Sequence, residues 1–156
     1  MLFRSYPWMS SAAVLLIALT TFSFFNENFL TPGNFSLILQ QVAIVGAIAA
    51  GQTLIILTAG IDLSCGAIAI FASMVMAKTY MGDPYSNNDG VPILIAFALG
   101  LLVGVAAGWF NGFLVTKFRL PPFIVTLGTL NVFIALTLIY ASGRTVTTNE
   151  IGRAHV

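Results

Sequence analysis

The stretch GQTLIILTAGIDLSCGAIAI, residues 51–70, interrupts a long apolar run with a glycine and a carboxylate. Apolar residues lie on both sides of Gly60 and Asp62. Glycine is common where a helix ends, and aspartate is favoured where the next helix begins. The stretch therefore predicts two apolar helices with a break at residues 60–64 between them.

The composition indicates where these helices lie. The chain has 156 residues, of which 58% are hydrophobic and 7% are charged. Soluble domains carry about 25% charged residues, so this chain cannot cover a surface that faces water. Its continuous apolar runs approach the ~20 residues of a spanning helix and lack the alternation of a β-barrel strand. The predicted fold is all-α, a polytopic helical membrane bundle.

The apolar runs predict about five transmembrane helices. The first run could instead be a signal peptide, but the bulky residues TFSFF at 21–25 stand where small cleavage-site residues belong. Pro32 and Gly33 are expected to break the chain before the second span. Pro121 and Pro122 suit the first turn of the fifth span. The predicted spans are 8–25, 35–59, 63–80, 91–116 and 123–140.

Basic residues outside the spans favour a cytoplasmic N-terminus, because cytoplasmic loops are enriched in lysine and arginine. In that orientation Arg4 and the loop with Lys117 and Arg119 lie inside, and the loop at 81–90 lies outside. Three residues favour the opposite orientation: Lys78, Arg144 and Arg153.

Asp62 requires a stabilising environment, because an ionised carboxylate at mid-bilayer costs roughly 2.5–3.5 kcal/mol. One interpretation is structural: Asp62 caps the third span and accepts N–H groups of its first turn. The other is functional: the break exposes Asp62 and Ser64 to a polar translocation path, which irregular backbone at membrane depth can line. The two interpretations are compatible.

Two glutamines in the second span share one helix face. Gln41 and Gln52 are eleven residues apart, which brings the helix back to within about 20° after about 16 Å. Hydrogen bonds between helices, worth about 0.6 kcal/mol each, compete as an explanation with a place on the translocation path. Thr126 and Thr137 repeat this spacing in the fifth span, where bonds to their own helix carbonyls are favoured.

The fourth span carries a regular glycine stripe. Gly100, Gly104, Gly108 and Gly112 recur every four residues, which predicts a groove that lets a neighbouring helix approach closely. Asn111 lies beside this groove and is expected to form a hydrogen bond across it. The pattern predicts helix packing rather than chemistry.

Signatures of catalysis are missing from the sequence. It has no P-loop, no HExxH motif and no cysteine–histidine cluster with metal-ligand spacing. The single cysteine, Cys65, cannot form a disulfide within the chain, and the single histidine, His155, has no evident partner. The sequence therefore indicates no enzyme, no cofactor and no metal site, and a net charge of +1 gives no reason to expect nucleic acid.

Three motifs resemble a known family. GQTLIILTAGIDLSCGAI at 51–68, GWFNGFLVTKFRLPPFIVTLGTLN at 108–131 and SGRT at 142–145 closely resemble the membrane permeases of bacterial monosaccharide ABC importers, of the ribose, xylose and fructose type. GIDLSVG is close to a signature of that family, and Cys65 stands here in the usual valine position. PPFIVTLGT follows after one intervening span, as it does in the family.

The resemblance implies a permease of the bacterial cytoplasmic (inner) membrane that works as a dimer with a second permease subunit. It would receive its sugar from a periplasmic sugar-binding protein and be driven by cytoplasmic ATP-binding subunits. Such permeases are about twice as long, have more than five spans, and carry in their later half a coupling helix that docks on the ATPase. Residues 1–156 are thus expected to be a partial transmembrane permease domain, the N-terminal portion of the family pattern, whether as a fragment, a truncated product or one piece of a split permease.

Two other functions stay open at this point. Related permeases import nucleosides, branched-chain amino acids or a furanose signalling molecule, so the same fold could carry another small solute. The polar stripes could instead hold together a membrane scaffold, a small channel or a fragment that transports nothing.

Overall fold

The computed structural model describes residues 8–82 and 90–143, and the regular secondary structure of these residues is entirely helical. The predicted loop at 81–90, apart from its ends, lies outside the described residues, as do Arg4, His155 and the rest of the tail from residue 144. The helices are α1 (Trp8–Phe25), α2 (Pro32–Leu57), α3 (Cys65–Met81), α4 (Ile93–Phe118) and α5 (Pro122–Tyr140).

The prediction of a helical membrane bundle is confirmed. Helices α1, α2, α4 and α5 are long and apolar enough to cross a membrane, whereas α3 is an apolar helix of 17 residues. At 1.5 Å per residue α3 is about 26 Å long, slightly less than the ~30 Å hydrocarbon core of a bilayer. The expectation that Pro32 and Gly33 break the chain is wrong, because both lie in the first turn of α2. Proline suits that turn, where its missing N–H would have no helical partner.

The chain divides into two compact units, Met1–Ala47 and Ile48–Val156, with the boundary inside α2. In the first unit, a turn joins α1 to α2. The Asn34 side-chain amide donates a hydrogen bond to the Phe29 carbonyl oxygen at 2.7 Å, and the rings of Phe22 and Phe29 lie 5.8 Å apart. These contacts stabilise the turn.

In the second unit, α3, α4 and α5 pack against one another. Their common core contains small side chains, which let apolar helices approach closely in a membrane. Large apolar side chains elsewhere point outward, and Leu102 on α4 is 63% exposed. This arrangement suits helices surrounded by lipid. The core consists of Ala67, Ile68, Ala107 and Phe133, with Phe71 and Leu130 packed against it.

Helix α4 runs antiparallel to α3. The start of α3 meets the C-terminal part of α4, where the Asn111 amide donates to the Ser64 hydroxyl at 2.7 Å. Near the other end of α3, a Cβ built on Gly100 would lie 3.0 Å from the Cβ of Met76. These two contacts fix the register of the helix pair.

Helix α5 runs parallel to α3. Near the start of both helices, the Thr126 hydroxyl lies 3.2 Å from the Ile61 carbonyl oxygen. Near their C-terminal ends, the Lys78 ammonium donates to the Tyr140 carbonyl oxygen at 2.8 Å and lies 4.9 Å from the Tyr140 ring centre. Lys78 therefore lies at the opposite end of the bundle from Lys117 and Arg119, which follow the C-terminal turn of α4.

Candidate functional site

Helices α2 and α3 are separated by residues 58–64, hereafter the helix break. The predicted break is confirmed and begins two residues earlier than expected. Ala59 adopts the left-handed backbone conformation with φ of 57°, and the Gly60 N–H donates to the Ile55 carbonyl oxygen at 3.0 Å. This bond ends α2 as in many helices, although the left-handed position usually holds glycine. Gly60 serves close approach instead, because a Cβ there would lie 3.1 Å from Ile55 Cγ2.

Asp62 stabilises the turn that precedes α3. Its Oδ1 accepts hydrogen bonds from the Ser64 backbone N–H at 2.7 Å and from the Ser64 hydroxyl at 2.6 Å. A carboxylate bonded to the backbone two residues later forms an Asx turn. The N-cap of α3 is Ser64, whose carbonyl oxygen accepts the Ile68 N–H at 2.9 Å. The interpretation of Asp62 as the cap of this helix therefore needs correction, since its carboxylate supports the cap residue.

Side chains from three helices hold the helix break. The Gln52 amide of α2 donates to the Asp62 carbonyl oxygen at 3.1 Å, and the Asn111 amide of α4 donates to the Ser64 hydroxyl. On α5 the single hydroxyl proton of Thr126 is shared between the carbonyl oxygens of Ile61, at 3.2 Å, and Pro122, at 2.9 Å. The break is thus anchored at the backbone carbonyl oxygens of Ile61 and Asp62 and at the side-chain hydroxyl of Ser64.

The two amides that hold the break each leave one oxygen unsatisfied. Gln52 Oε1 and Asn111 Oδ1 are buried and have no hydrogen-bond partner among the described residues. Leaving a buried acceptor unpaired costs about 1–3 kcal/mol. Rotating the Gln52 amide would not help, because the Asp62 carbonyl oxygen is an acceptor and needs the amide N–H. The helix break is therefore held by the donor halves of these two amides, and their oxygens take no part in it.

The helix break lies near one end of the bundle rather than at its centre. Asn111 is seven residues from the end of α4, which corresponds to about 10 Å, and Thr126 is four residues from the start of α5, about 6 Å. This end also carries Lys117 and Arg119. Asp62 is therefore one to two helical turns inside the end of the bundle, where a carboxylate is easier to hydrate than at mid-bilayer.

The structure brings together three of the four residues predicted for a translocation path: Asp62, Ser64 and Gln52. Ser64 is fully buried, whereas Asp62 is partly exposed. Gln41 lies in the first compact unit, and its side chain is exposed on α2.

Only two of the four glycines in the predicted stripe of α4 face another helix among the described residues. A Cβ on Gly100 would lie 3.1 Å from the Ala72 carbonyl oxygen, and one on Gly104 would lie 4.0 Å from Ala72 Cβ. A Cβ on Gly108 or Gly112 would meet nothing within 4 Å among the described residues. Helix α3 therefore lies against the first half of the stripe only.

The sequence predicts the bond of Thr126 within its own helix, which the structure shows to Pro122, but it does not predict the bond of Thr126 to the helix break. The sequence also predicts a hydrogen bond from Asn111 across the glycine groove, but it does not identify Ser64 as the partner. Only the appearance of Thr126 and Asn111 as polar residues in apolar spans could have signalled these bonds. The identity of the partners depends on the register of α3, α4 and α5.

The described helices and the polar break define a multi-pass helical membrane protein. A family model described as branched-chain amino acid transport system / permease component matches residues 34–155. The chain belongs to this family of transport permeases, since the match covers most of its length. The family resemblance inferred from the motifs is confirmed, as is the location in the bacterial inner membrane as a multi-pass protein.

Individual relatives are permeases for sugars. The chain is 41% identical to the fructose import permease protein of Rhizobium meliloti, over 95% of the chain and 40% of the relative. It is 43% identical to the ribose import permease protein of Bacillus subtilis, over 85% and 39%, and 42% identical to the D-allose transport system permease protein of Escherichia coli, over 77% and 35%. The chain thus spans about 40% of the length of the curated relatives it matches. No solved structure matches it.

Proposed function

We propose that residues 1–156 form part of the permease subunit of an ATP-binding-cassette importer that moves a monosaccharide across the bacterial cytoplasmic membrane. The observation that carries this assignment is the similarity to the fructose import permease, which extends over 95% of the chain. The ribose and D-allose permeases among the relatives support the same solute class. Fructose, ribose and allose are neutral sugars with many hydroxyl groups, so hydrogen bonding rather than charge would have to recognise them.

The helix break supports a transport role. Non-helical backbone at membrane depth is tolerated where it is buried in protein or lines a water-filled cavity, and transporters place solute sites at broken helices. Asp62, Ser64 and Gln52 would line the path at the break, and the exposed Gln41 would lie on the same helix as Gln52. Because Ser64 is fully buried in the described conformation, contact with a solute requires the break to move.

The family description also supports partners, because it names a permease component of a transport system. The partners proposed for this chain are ATP-binding subunits, a periplasmic sugar-binding protein and a second permease subunit. In this arrangement the ATP-binding subunits do the chemistry, and the permease itself is not an enzyme. The binding protein would supply most of the selectivity.

A different cargo is the main alternative, since the family description names branched-chain amino acids. Uptake measurements separate the two. We would delete the gene, restore the complete gene product from a plasmid, and measure the initial uptake of radiolabelled fructose, ribose, allose, leucine and uridine. The expected result is that deletion abolishes uptake of at least one monosaccharide and leaves leucine and uridine uptake unchanged.

Other outcomes identify the other functions. Loss of leucine or uridine uptake alone would transfer the assignment to that solute. Unchanged uptake of all five solutes would contradict the monosaccharide assignment and leave the furanose signalling molecule as cargo or a protein that does not transport. Complementation with Asp62→Ala, with uptake normalised to the amount of protein in the membrane, tests whether the break is part of the transport machinery, and Asn131→Leu is a control at an exposed position. Asn131 is exposed on α5 and donates to the Leu127 carbonyl oxygen of its own helix at 2.9 Å.

A further inference from the structure

A continuous chain of hydrogen bonds leads from α4 to the Asp62 carboxylate. The Asn111 amide donates to Ser64 Oγ at 2.7 Å, and the Ser64 hydroxyl donates to Asp62 Oδ1 at 2.6 Å. Ser64 is 0% exposed and Asn111 is 5% exposed. The middle member of this chain is thus shielded from water and depends on its two protein partners.

We infer that Asn111 is a positioning residue that acts on Asp62 through the Ser64 hydroxyl. A hydroxyl has one proton and rotates to suit its surroundings. The Asn111 amide donates its N–H to Ser64 Oγ, so the hydroxyl proton of Ser64 cannot point toward Asn111. It points toward Asp62 instead. By its contact with Ser64, Asn111 therefore sets the orientation of the hydrogen bond that the Ser64 hydroxyl donates to Asp62.

The other side of the Asn111 amide supports this role. Its Oδ1 is buried with no partner among the described residues, although apolar side chains of similar size, such as leucine, would leave no acceptor unpaired. Packing alone does not account for an amide at this position. The donor half of the amide is the part that the structure uses.

Loss of this bond should loosen the helix break. Asp62 would keep the Ser64 backbone N–H, but the Ser64 hydroxyl would be free to rotate, and the break would lose its only side-chain bond to α4 among the described contacts. Cys65 adjoins the break, is partly exposed, and is the single cysteine of residues 1–156. Its reaction with a maleimide therefore reports directly on the opening of the break.

The test is a double-mutant cycle in membranes that contain the complete gene product, with any cysteine beyond residue 156 replaced by serine. We expect Asn111→Leu and Ser64→Ala each to raise the labelling rate of Cys65 about tenfold, which corresponds to ~1.4 kcal/mol. The double variant should label no faster than Ser64→Ala alone, because Asn111 acts through the hydroxyl. Asn131→Leu, the same change at an asparagine bonded within its own helix, should label like the wild type.

Several results would overturn the assignment. One is an unchanged labelling rate of Cys65 in Asn111→Leu. Another is an unchanged labelling rate in Ser64→Ala, and this variant remains a sufficient test if Asn111→Leu does not accumulate. Additive effects in the double variant would show that Asn111 supports only general packing. The inference rests on the proposed function only for the role of Asp62 on a solute path. Labelling of Cys65 does not require transport. An absence of monosaccharide uptake would therefore contradict the proposed function, and the labelling test of Asn111 would remain valid.

Discussion

Replacing Gly100 with alanine is expected to weaken the packing of α3 against α4. The added Cβ would lie 3.0 Å from Met76 Cβ and 3.1 Å from the Ala72 carbonyl oxygen. That oxygen belongs to the helix backbone and cannot move without shifting α3, so overpacking of about 1–3 kcal/mol is expected. The higher helix propensity of alanine offsets about 1 kcal/mol. The net loss of stability is therefore expected to reach about 2 kcal/mol.

Gly108→Ala is the matched control on the same helix. Its Cβ would meet nothing within 4 Å among the described residues, and it gains the same helix propensity. The difference between the two variants therefore isolates the contact with α3. Thermal unfolding of the complete gene product in detergent should give a midpoint for Gly100→Ala several degrees below that for Gly108→Ala. Equal midpoints for the two variants would contradict the close packing of α3 against Gly100.

Other changes test the helix break and the ends of the bundle. Asp62→Asn should keep the turn and accumulate normally, because an asparagine oxygen accepts the same two bonds from Ser64. Asp62→Ala loses both bonds and should accumulate less. Normal uptake by Asp62→Asn would exclude a need for the charge. Ala59→Gly should raise the unfolding midpoint by relieving about 1 kcal/mol of left-handed backbone strain, and a lower midpoint would contradict this. Lys78→Met should lower the free energy of unfolding by about 0.5–1 kcal/mol, and with it the midpoint, because the contacts with Tyr140 are lost; an unchanged midpoint would mean that these contacts contribute nothing. A reporter fused at Phe118 should read cytoplasmic; a periplasmic signal would reverse the predicted orientation.

The helices could be predicted from the sequence because apolar runs of spanning length leave few alternatives. The break could be predicted because Gly60 and Asp62 interrupt such a run. The exact end of α2 could not, since the left-handed residue is Ala59 and nothing in its side chain marks it. The position of Pro32 at the start of α2 could not be predicted, because proline suits both a turn and the first turn of a helix, and the local sequence does not separate the two.

The partners of the break could not be predicted for a different reason. Asn111 and Thr126 lie 47 and 65 residues from the backbone or hydroxyl groups that they contact. Which of them meets the break depends on how α4 and α5 slide along α3, and a shift of one turn would move each contact by 5.4 Å. Contacts such as that of Gly100 with α3 set this register. A glycine in the sequence indicates that another helix can approach closely, but it does not indicate which residue of that helix it contacts.

The same register bears on the orientation of the bundle. Lys78 lies at the opposite end from Lys117 and Arg119, so one of these basic sites must face the outside in either orientation. The Lys78 ammonium is held by the Tyr140 carbonyl oxygen and ring at the C-terminal end of α5, where a cation is favoured locally. Lys117 and Arg119 are exposed, and their position is better explained by the preference of basic loops for the cytoplasm. This favours a cytoplasmic N-terminus, and it places the helix break in the half of the bundle nearest to the proposed ATP-binding subunits.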